Sequence, residues 1–199
     1  MKIDFVSDVA CPWCAIGLHS LELALERLGP DFQVELNFQP FELNPGMPPA
    51  GEDLVGYLSK KYGLTPEQVE QNQEAIRQRG EAVGFTFRMD RRTRAYNTFD
   101  CHRLLHWAGT QGRAQQLALK HALLAAYFTE GENPGARDVL LRAAAAAGLD
   151  EAEAAGVIDT GRYADEVRAR ERYYQQAGIQ AVPGVVINDR HLISGGQPP

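Results

Sequence analysis

The chain has 199 residues, of which 44% are hydrophobic and 23% are charged. This balance is typical of one globular domain, or of one domain that carries a large insertion. The formal net charge of -6 and the lack of a long Lys/Arg block argue against nucleic-acid binding. The N-terminus lacks the apolar stretch of a secretory signal, and no apolar run approaches about 18 residues. We therefore expect a cytoplasmic protein that does not span a membrane; its state is expected to be monomer or homodimer.

The first 40 residues predict a β-α-β unit. Ile3 and Phe5 alternate with polar residues, as they do in a short half-buried strand. A stripe of leucines at helical spacing follows, and Gly29-Pro30 ends it. The stripe consists of Leu18, Leu21, Leu25 and Leu28. A second strand is predicted near 34–38, and a helical crossover between two strands favours their parallel pairing.

A connector rich in Pro and Gly at 40–51 leads into a region, about 53–177, that is predicted to be almost entirely helical. Within it, "TPEQ" starting at Thr65 is typical of a capped helix N-terminus. The helix that follows has few apolar positions, so we expect it to be well exposed. Strand character returns in "GVVIN" at 184–188, followed by a turn and a returning strand at 191–194.

Two cysteines stand where the first strand meets the first helix, in "VACPWCAIG". Cys11 would lie at the helix N-terminus, where unpaired N–H groups and the macrodipole stabilise a thiolate. Pro12 suits this place because it has no N–H to donate. We therefore expect Cys11 to be the exposed, attacking cysteine, and Cys14, one turn further, to be the buried, resolving cysteine.

Two other interpretations of the pair are a zinc site and two inert core cysteines. A zinc site needs about four ligands, and only Cys101 and His102 could join, because no second CxxC exists. The low, odd count of three cysteines argues against a secreted disulfide scaffold. A redox pair is therefore favoured, and no metal is expected. Cys101 itself is either a small buried hydrophobe or a third redox partner.

A second motif, "QAVPGVV", places Pro183 at the start of the third strand, a position that proline tolerates. Peptide bonds before proline are also the ones that adopt the cis form. From its position alone, a trans proline that merely begins the strand is the simpler interpretation.

Together, "FVSDVACPWC" and "GIQAVPGVVIN" resemble the thioredoxin superfamily, and within it the DsbA-like oxidoreductases with a helical insertion. "NTFDCHRLLHWA" and the terminal "SGGQPP" resemble the FrnE-like branch, also labelled 2-hydroxychromene-2-carboxylate isomerase-like. The resemblance covers essentially the whole chain. It implies an α/β, thioredoxin-like fold (β-α-β … β-β) with a large α-helical insertion. Residues 1–45 and 179–199 would form its two thioredoxin-like parts, 46–178 the insertion, and a final helix would lie past residue 199.

The resemblance also implies a function, a thiol–disulfide oxidoreductase that acts on protein or small-molecule thiols and disulfides. Its only redox group would be the Cys11–Cys14 disulfide, with no other cofactor and with glutathione as a candidate co-substrate. Pro183 would be cis and packed beside the cysteines, and the backbone of Val182 would pair with an extended substrate peptide. The resembled motif further makes Asn97 and His102 candidate groove residues.

Three departures from the family pattern modify these expectations. Trp13 stands where strongly oxidising members have His, so the pair should be less oxidising. Phe5 occupies the place of a buried acid found in many thioredoxin-like proteins, and Asp8 is expected on a loop, which leaves the proton shuttle unassigned. Gly184 follows the proline where a larger residue is common, which would widen the groove.

The alternative function is a glutathione-dependent transferase of the kappa class, or an isomerase like that acting on 2-hydroxychromene-2-carboxylate. Such enzymes share the fold, typically have Ser at the place of Cys11, and need no second cysteine. Cys14 therefore favours the redox interpretation.

Overall fold

The computed structural model describes residues 1–199 and contains eight helices and six strands. In chain order they are β1 (Lys2–Ser7), α1 (Pro12–Leu28), β2 (Glu35–Pro40), β3 (Glu52–Asp53), α2 (Leu54–Tyr62), α3 (Pro66–Ala82), β4 (Arg94–Ala95), α4 (Phe99–Gln111), α5 (Arg113–Phe128), α6 (Arg137–Ala146), α7 (Glu151–Thr160), α8 (Ala164–Gln176), β5 (Gly184–Ile187) and β6 (His191–Ser194). The predicted α/β plan, with a helical insertion between β2 and β5, is confirmed. None of the helices combines the length and the apolar character that a membrane span requires.

The main sheet has the strand order β2-β1-β5-β6. β1 and β2 are parallel, as the helical crossover predicts, whereas β5 and β6 join as an antiparallel hairpin. Asn188 and Asp189 make the hairpin turn with φ of 51° and 56°, values that these two residue types tolerate better than most. The short β3–β4 ladder inside the insertion was not predicted, because two-residue strands carry no periodic signal.

Helix α1 connects β1 to β2 and ends, as predicted, at Leu28 before Gly29, whose φ is 81°. Leu18 is fully buried, but Leu28 is 57% exposed, so the leucine stripe fails as a core prediction in the last turn.

One hydrophobic core joins the sheet, α1 and the insertion. Phe5 and Leu18 from the first unit pack in the same cluster as Phe85, Leu124 and Phe128 from the insertion. A second cluster holds α4 to α7 together. The insertion is therefore attached to the sheet by burial of apolar surface and not only by its two connections.

Helix α3 begins with the predicted capping box, in which the side chains of Thr65 and Gln68 bond each other's backbone N–H groups. The helix is well exposed, as expected, and among its few apolar residues Val69 is 1% exposed and Ile76 is half-buried. Both residues face a cavity that α3 forms with α2 and the start of α1.

Candidate active site

The two cysteines of α1 have different surroundings. Cys11 is the N-cap residue, with extended backbone (φ -93°, ψ 113°), and Pro12 takes the first helical position. Cys14 lies one turn inside the helix, where its N–H donates to the carbonyl of Cys11 at 3.1 Å. Pro12, at the first helical position, has no N–H to leave unpaired, so the local sequence suits a helix start.

Both cysteines are free thiols, and both are buried. Cys11 is 4% exposed, so the expectation of a surface-exposed thiol is wrong; its side chain reaches solvent only through the cavity that it lines. Cys14 is 0% exposed and does not line the cavity. Burial, and then the hydrogen bond with Cys11, raise the pKa of the Cys14 thiol well above its ordinary value.

The loop before β5 completes the surroundings of Cys11. The Val182–Pro183 bond is cis, and the Sγ of Cys11 lies 3.6 Å from the carbonyl oxygen of Val182. Pro183 packs against α1 at Gly17, where a Cβ would come within 3.1 Å of the proline ring. The thiol, the cis proline and the carbonyl of Val182, which accepts from the thiol, are therefore brought together at the start of α1.

Cys11 opens on a cavity of about 850 Å³, lined mostly by apolar side chains. Helices α2 and α3 form one wall, and the segments at 41–44 and 180–182 form the other. Tyr57 and Lys61 both hydrogen bond to the Asn44 side chain, which fixes the polar part of this wall. Trp13, 41% exposed, stands beside Cys11 on the cavity rim.

Asp8, in the loop between β1 and α1, is the buried acid closest in sequence to the cysteines, and it is 1% exposed. It accepts hydrogen bonds from the N–H groups of Leu43 at 2.7 Å and Ala10 at 3.2 Å, and it lies 3.3 Å from Nε2 of His102. Burial by itself raises the pKa of Asp8, but hydrogen bonds from His102, Leu43 and Thr98 outweigh it and lower the pKa.

The two candidate groove residues do not line the cavity. His102 is 2% exposed, because its face of α4 packs inward and its ring faces Asp8. Asn97 precedes α4, where its side chain accepts from the N–H of Phe99 and donates to the carbonyl of Met47. Both residues therefore hold loops in place, and their assignment to the groove is corrected.

Lys120 of α5 is a residue that sequence reasoning missed. It is 0% exposed, and its Nζ has no hydrogen-bond partner. The sequence does contain a signal for the burial of Lys120, because Leu123, Leu124 and Tyr127 follow it at the three-, four- and seven-residue spacing of one buried helix face.

Cys101 and one further cluster lie outside the cavity. The thiol of Cys101 donates to the carbonyl of Pro134 at 3.1 Å, and burial raises its pKa, which supports the interpretation as a buried hydrophobe. His19, Glu22 and His121 bring ligand-type atoms within 4.8 Å of one another. Glu22 and His121 bond each other at 2.7 Å and the two histidine rings pack edge to face, which accounts for this grouping.

The chain is similar to known proteins over nearly its whole length. A family model described as a DSBA-like thioredoxin domain matches residues 2–199. The uncharacterized protein YwbO of Bacillus subtilis (strain 168) is 30% identical over 190 residues, which are 95% of this chain and 88% of the relative.

Solved structures agree with this match. A probable DsbA oxidoreductase from Streptomyces coelicolor is similar with a TM-score of 0.88 and 35% identity, covering 100% of this chain and 85% of that one. A 2-hydroxychromene-2-carboxylate isomerase has a TM-score of 0.73 with 14% identity, covering 98% of this chain and 89% of that one. At 14% identity, the likeness to the isomerase concerns the fold alone.

Proposed function

Because the chain belongs to the DSBA-like thioredoxin domain family, we propose that it is a thiol–disulfide oxidoreductase in which Cys11 attacks and Cys14 resolves. The observation that carries this proposal is the unequal placement of two adjacent thiols. Cys11 opens on the cavity at the N-cap of α1, whereas Cys14 is fully buried and outside it. A substrate disulfide can therefore reach the first sulfur only, and the second is reserved for the intramolecular step.

The reaction consists of two exchanges. The Cys11 sulfur, at the N-cap of α1, attacks as a thiolate on one substrate sulfur, and the other substrate sulfur leaves as a thiolate. Cys14 then attacks Cys11, the mixed disulfide breaks, and the substrate leaves with both sulfurs reduced. The enzyme dithiol loses the two electrons that the substrate gains, and the same steps run in reverse with an oxidised enzyme and a substrate dithiol.

The cavity indicates the kind of substrate. Val182 lies on its wall, and its carbonyl accepts from the Cys11 thiol, so an extended substrate peptide that takes the place of this hydrogen bond could add to the backbone there as a further strand. The apolar surface of α2 and α3 would receive the apolar side chains next to the substrate disulfide. Glutathione is a candidate co-substrate of the reaction. We place this activity in the cytoplasm, where such cysteine pairs cycle between dithiol and disulfide.

Reduction of insulin with dithiothreitol or glutathione as the electron donor tests the proposal. We expect wild type to accelerate the reaction, Cys11→Ser to lose the acceleration, and Cys101→Ser to retain it, because Cys101 lies outside the cavity. A Cys11→Ser protein as active as wild type would refute the assignment.

Cys14 separates this chemistry from glutathione-dependent transferase or isomerase chemistry on the same fold. Here Cys14→Ser should stop turnover and accumulate a mixed disulfide at Cys11, visible by mass spectrometry as an added substrate mass. If Cys14→Ser instead leaves a glutathione-dependent isomerase activity at its wild-type rate, and wild type reduces no disulfide, the alternative function is correct.

A further inference from the structure

Arg92, just before β4, is a buried cation without an acidic partner. It is 6% exposed, and its Nε has no hydrogen-bond partner. The neighbouring arginines of the same segment all have oxygen partners: Arg88 pairs with Asp90, Arg91 pairs with Glu130, and Arg94 donates to the carbonyls of Ala50 and Gly51. A buried charge is costly unless it is paired, so the burial of Arg92 lowers stability unless a ligand supplies the missing acceptor.

Two aromatic rings offset only part of this cost. The central carbon of the Arg92 guanidinium lies 4.9 Å from the ring centroids of both Tyr127 and Phe128. Such contacts attract the charge, but a ring offers no oxygen to the five N–H donors of a guanidinium. The planar fork of these donors matches the two oxygens of a carboxylate.

Arg92 lines the same cavity as Cys11, together with the Tyr127 ring that it contacts. The volume of about 850 Å³ is in the range of small-molecule sites. Most of the remaining lining is apolar, with Leu54 of α2 and Ile76 of α3 among its residues. A ligand in this cavity therefore meets an apolar surface that carries one reactive sulfur and one unpaired guanidinium.

The charged residues of the lining favour an anion. Glu42 is the one acid among them, and it is paired with Arg168. Lys61 is the other cation, and it donates to a backbone carbonyl and to an amide oxygen. Two positive charges thus line the cavity without a carboxylate partner, although the net charge of the whole chain is -6. Attraction for an anion is therefore local to this site.

We propose that Arg92 binds a carboxylate of the substrate, and that the substrate is a small thiol or disulfide with an apolar body and an acidic end. This inference rests on the proposed thiol–disulfide exchange for the reaction at Cys11. The carboxylate accepts two parallel hydrogen bonds from the guanidinium, and the apolar body packs on α2 and α3. Binding in this way supplies the acceptor that Arg92 lacks within the chain.

Dihydrolipoate and dihydrolipoamide test the proposal, because they carry the same dithiol and differ only in a terminal carboxylate or carboxamide. With the oxidised protein, a thiolate of the reagent attacks Cys11, and Cys14 leaves as a thiolate. The second sulfur of the reagent then displaces Cys11 and closes a ring disulfide. The reagent loses the two electrons and two protons that the cysteine pair gains, and the ultraviolet absorbance of the ring disulfide follows the reaction.

We expect wild type to react with dihydrolipoate faster than with dihydrolipoamide by roughly ten-fold or more, as for a charge-assisted hydrogen-bonded pair. The net negative charge of the chain would by itself favour the uncharged reagent, so the opposite preference requires a local cation. In Arg92→Met the two rates should become equal, through a slower reaction of dihydrolipoate alone. Arg92→Lys should recover part of the preference, because it keeps the charge without the planar fork.

Arg91→Met, at the adjacent exposed position outside the cavity, is the matched control and should keep the wild-type preference. If Arg92→Met does not give a wild-type circular dichroism spectrum, Arg92→Gln replaces it. Equal rates in wild type, or a preference for dihydrolipoate that survives in the Arg92 variants, would overturn the role of Arg92. An Arg92-dependent preference confined to cysteine peptides that carry Glu over those that carry Gln would overturn the small-molecule substrate class.

Calorimetry with octanoate and octanamide, which contain no sulfur, measures the same recognition without the reaction. We expect wild type and Arg91→Met to bind octanoate more tightly than octanamide, and Arg92→Met to lose this difference. Equal affinities in wild type would count against the carboxylate site. If neither dithiol reduces wild type, the thiol–disulfide exchange itself is refuted, and the octanoate result alone then decides whether Arg92 binds a carboxylate.

Discussion

At the scale of single residues, the site is defined by unequal burial of similar groups. Cys11 and Cys14 differ by one helical turn, yet only Cys11 reaches the cavity. Asp8 and Lys120 are both buried, yet Asp8 is saturated by hydrogen bonds and Lys120 has none. These differences matter for stability, because a satisfied buried polar group contributes to it and an unsatisfied one reduces it.

Asp8 should contribute to stability in a pH-dependent way. Burial raises its pKa, but hydrogen bonds led by that of His102 bring the folded-state pKa below the unfolded value of about 3.9. Its contribution is therefore full above that pH and is lost as pH falls through the folded-state pKa. We expect Asp8→Asn to lower the free energy of unfolding by roughly 1–3 kcal/mol at pH 7, by leaving His102 and backbone donors poorly paired.

Urea unfolding between pH 3 and pH 7 measures this effect. The difference between Asp8→Asn and wild type should shrink toward acid pH, whereas Asp31→Asn, at an exposed position, should match wild type throughout. A difference that stays constant over the whole range would contradict the role of the Asp8 carboxylate.

At the scale of elements, α3 combines an exposed face, a face toward the cavity and one close contact with the core. Gly80 lies in its last turns, where a Cβ would come within 2.4 Å of the Phe87 ring and 2.8 Å of the Phe85 carbonyl. Gly156 in α7 has open space, its nearest neighbour being an arginine side chain at 3.8 Å. A side chain is thus sterically excluded at Gly80, whereas there is room for one at Gly156.

Alanine at these two positions should have effects of opposite sign. Gly156→Ala should raise the free energy of unfolding by about 0.5–1 kcal/mol, the usual gain from helix propensity. Gly80→Ala should lower it by about 1–3 kcal/mol, because Phe87 must move out of its packed position. Urea midpoints of both variants test this, and a stabilised Gly80→Ala protein would show that α3 is not seated against Phe87.

The face of α3 toward the cavity should influence substrate choice. Ile76→Ala removes part of the apolar wall and so enlarges the cavity, at a position far along the chain from Cys11. We therefore expect the ratio of kcat/KM for insulin to that for glutathione disulfide to change several-fold. The reduction potential of the cysteine pair should stay near that of wild type. Ile158→Ala, a partly buried residue of α7 outside the cavity, is the control for general destabilisation. A shifted potential with an unchanged ratio would contradict this division.

At the scale of the whole molecule, the insertion and the sheet share one core. Phe5 and Leu18 pack with Phe85, Leu124 and Phe128, so opening either part exposes apolar surface of the other. Cooperative unfolding of both parts follows from such a shared cluster.

The two tryptophans report on the two parts separately, since Trp13 lies on α1 and Trp107 on α4. Fluorescence of Trp13→Phe and Trp107→Phe therefore follows one part in each variant. Fluorescence and circular dichroism are compared within each variant. We expect the two signals to give coincident urea transitions in both variants. Transitions that separate in either variant would show that the insertion unfolds on its own.

The sequence by itself determined the features that depend on local spacing. The β-α-β start, the capping box at Thr65, and the placement of Cys11 and Cys14 at a helix N-terminus follow from neighbours within a few residues. Such patterns are readable because helix and strand geometry repeats over three or four residues and two residues, respectively.

Only the tertiary structure decided which side chains meet across long stretches of chain. It buried Cys11 against a cavity, turned His102 toward Asp8 and away from that cavity, and buried Lys120 without a hydrogen-bond partner. These outcomes depend on how α4 and α5 pack against the sheet. That packing is set by the summed burial of many apolar side chains, and no local pattern encodes it.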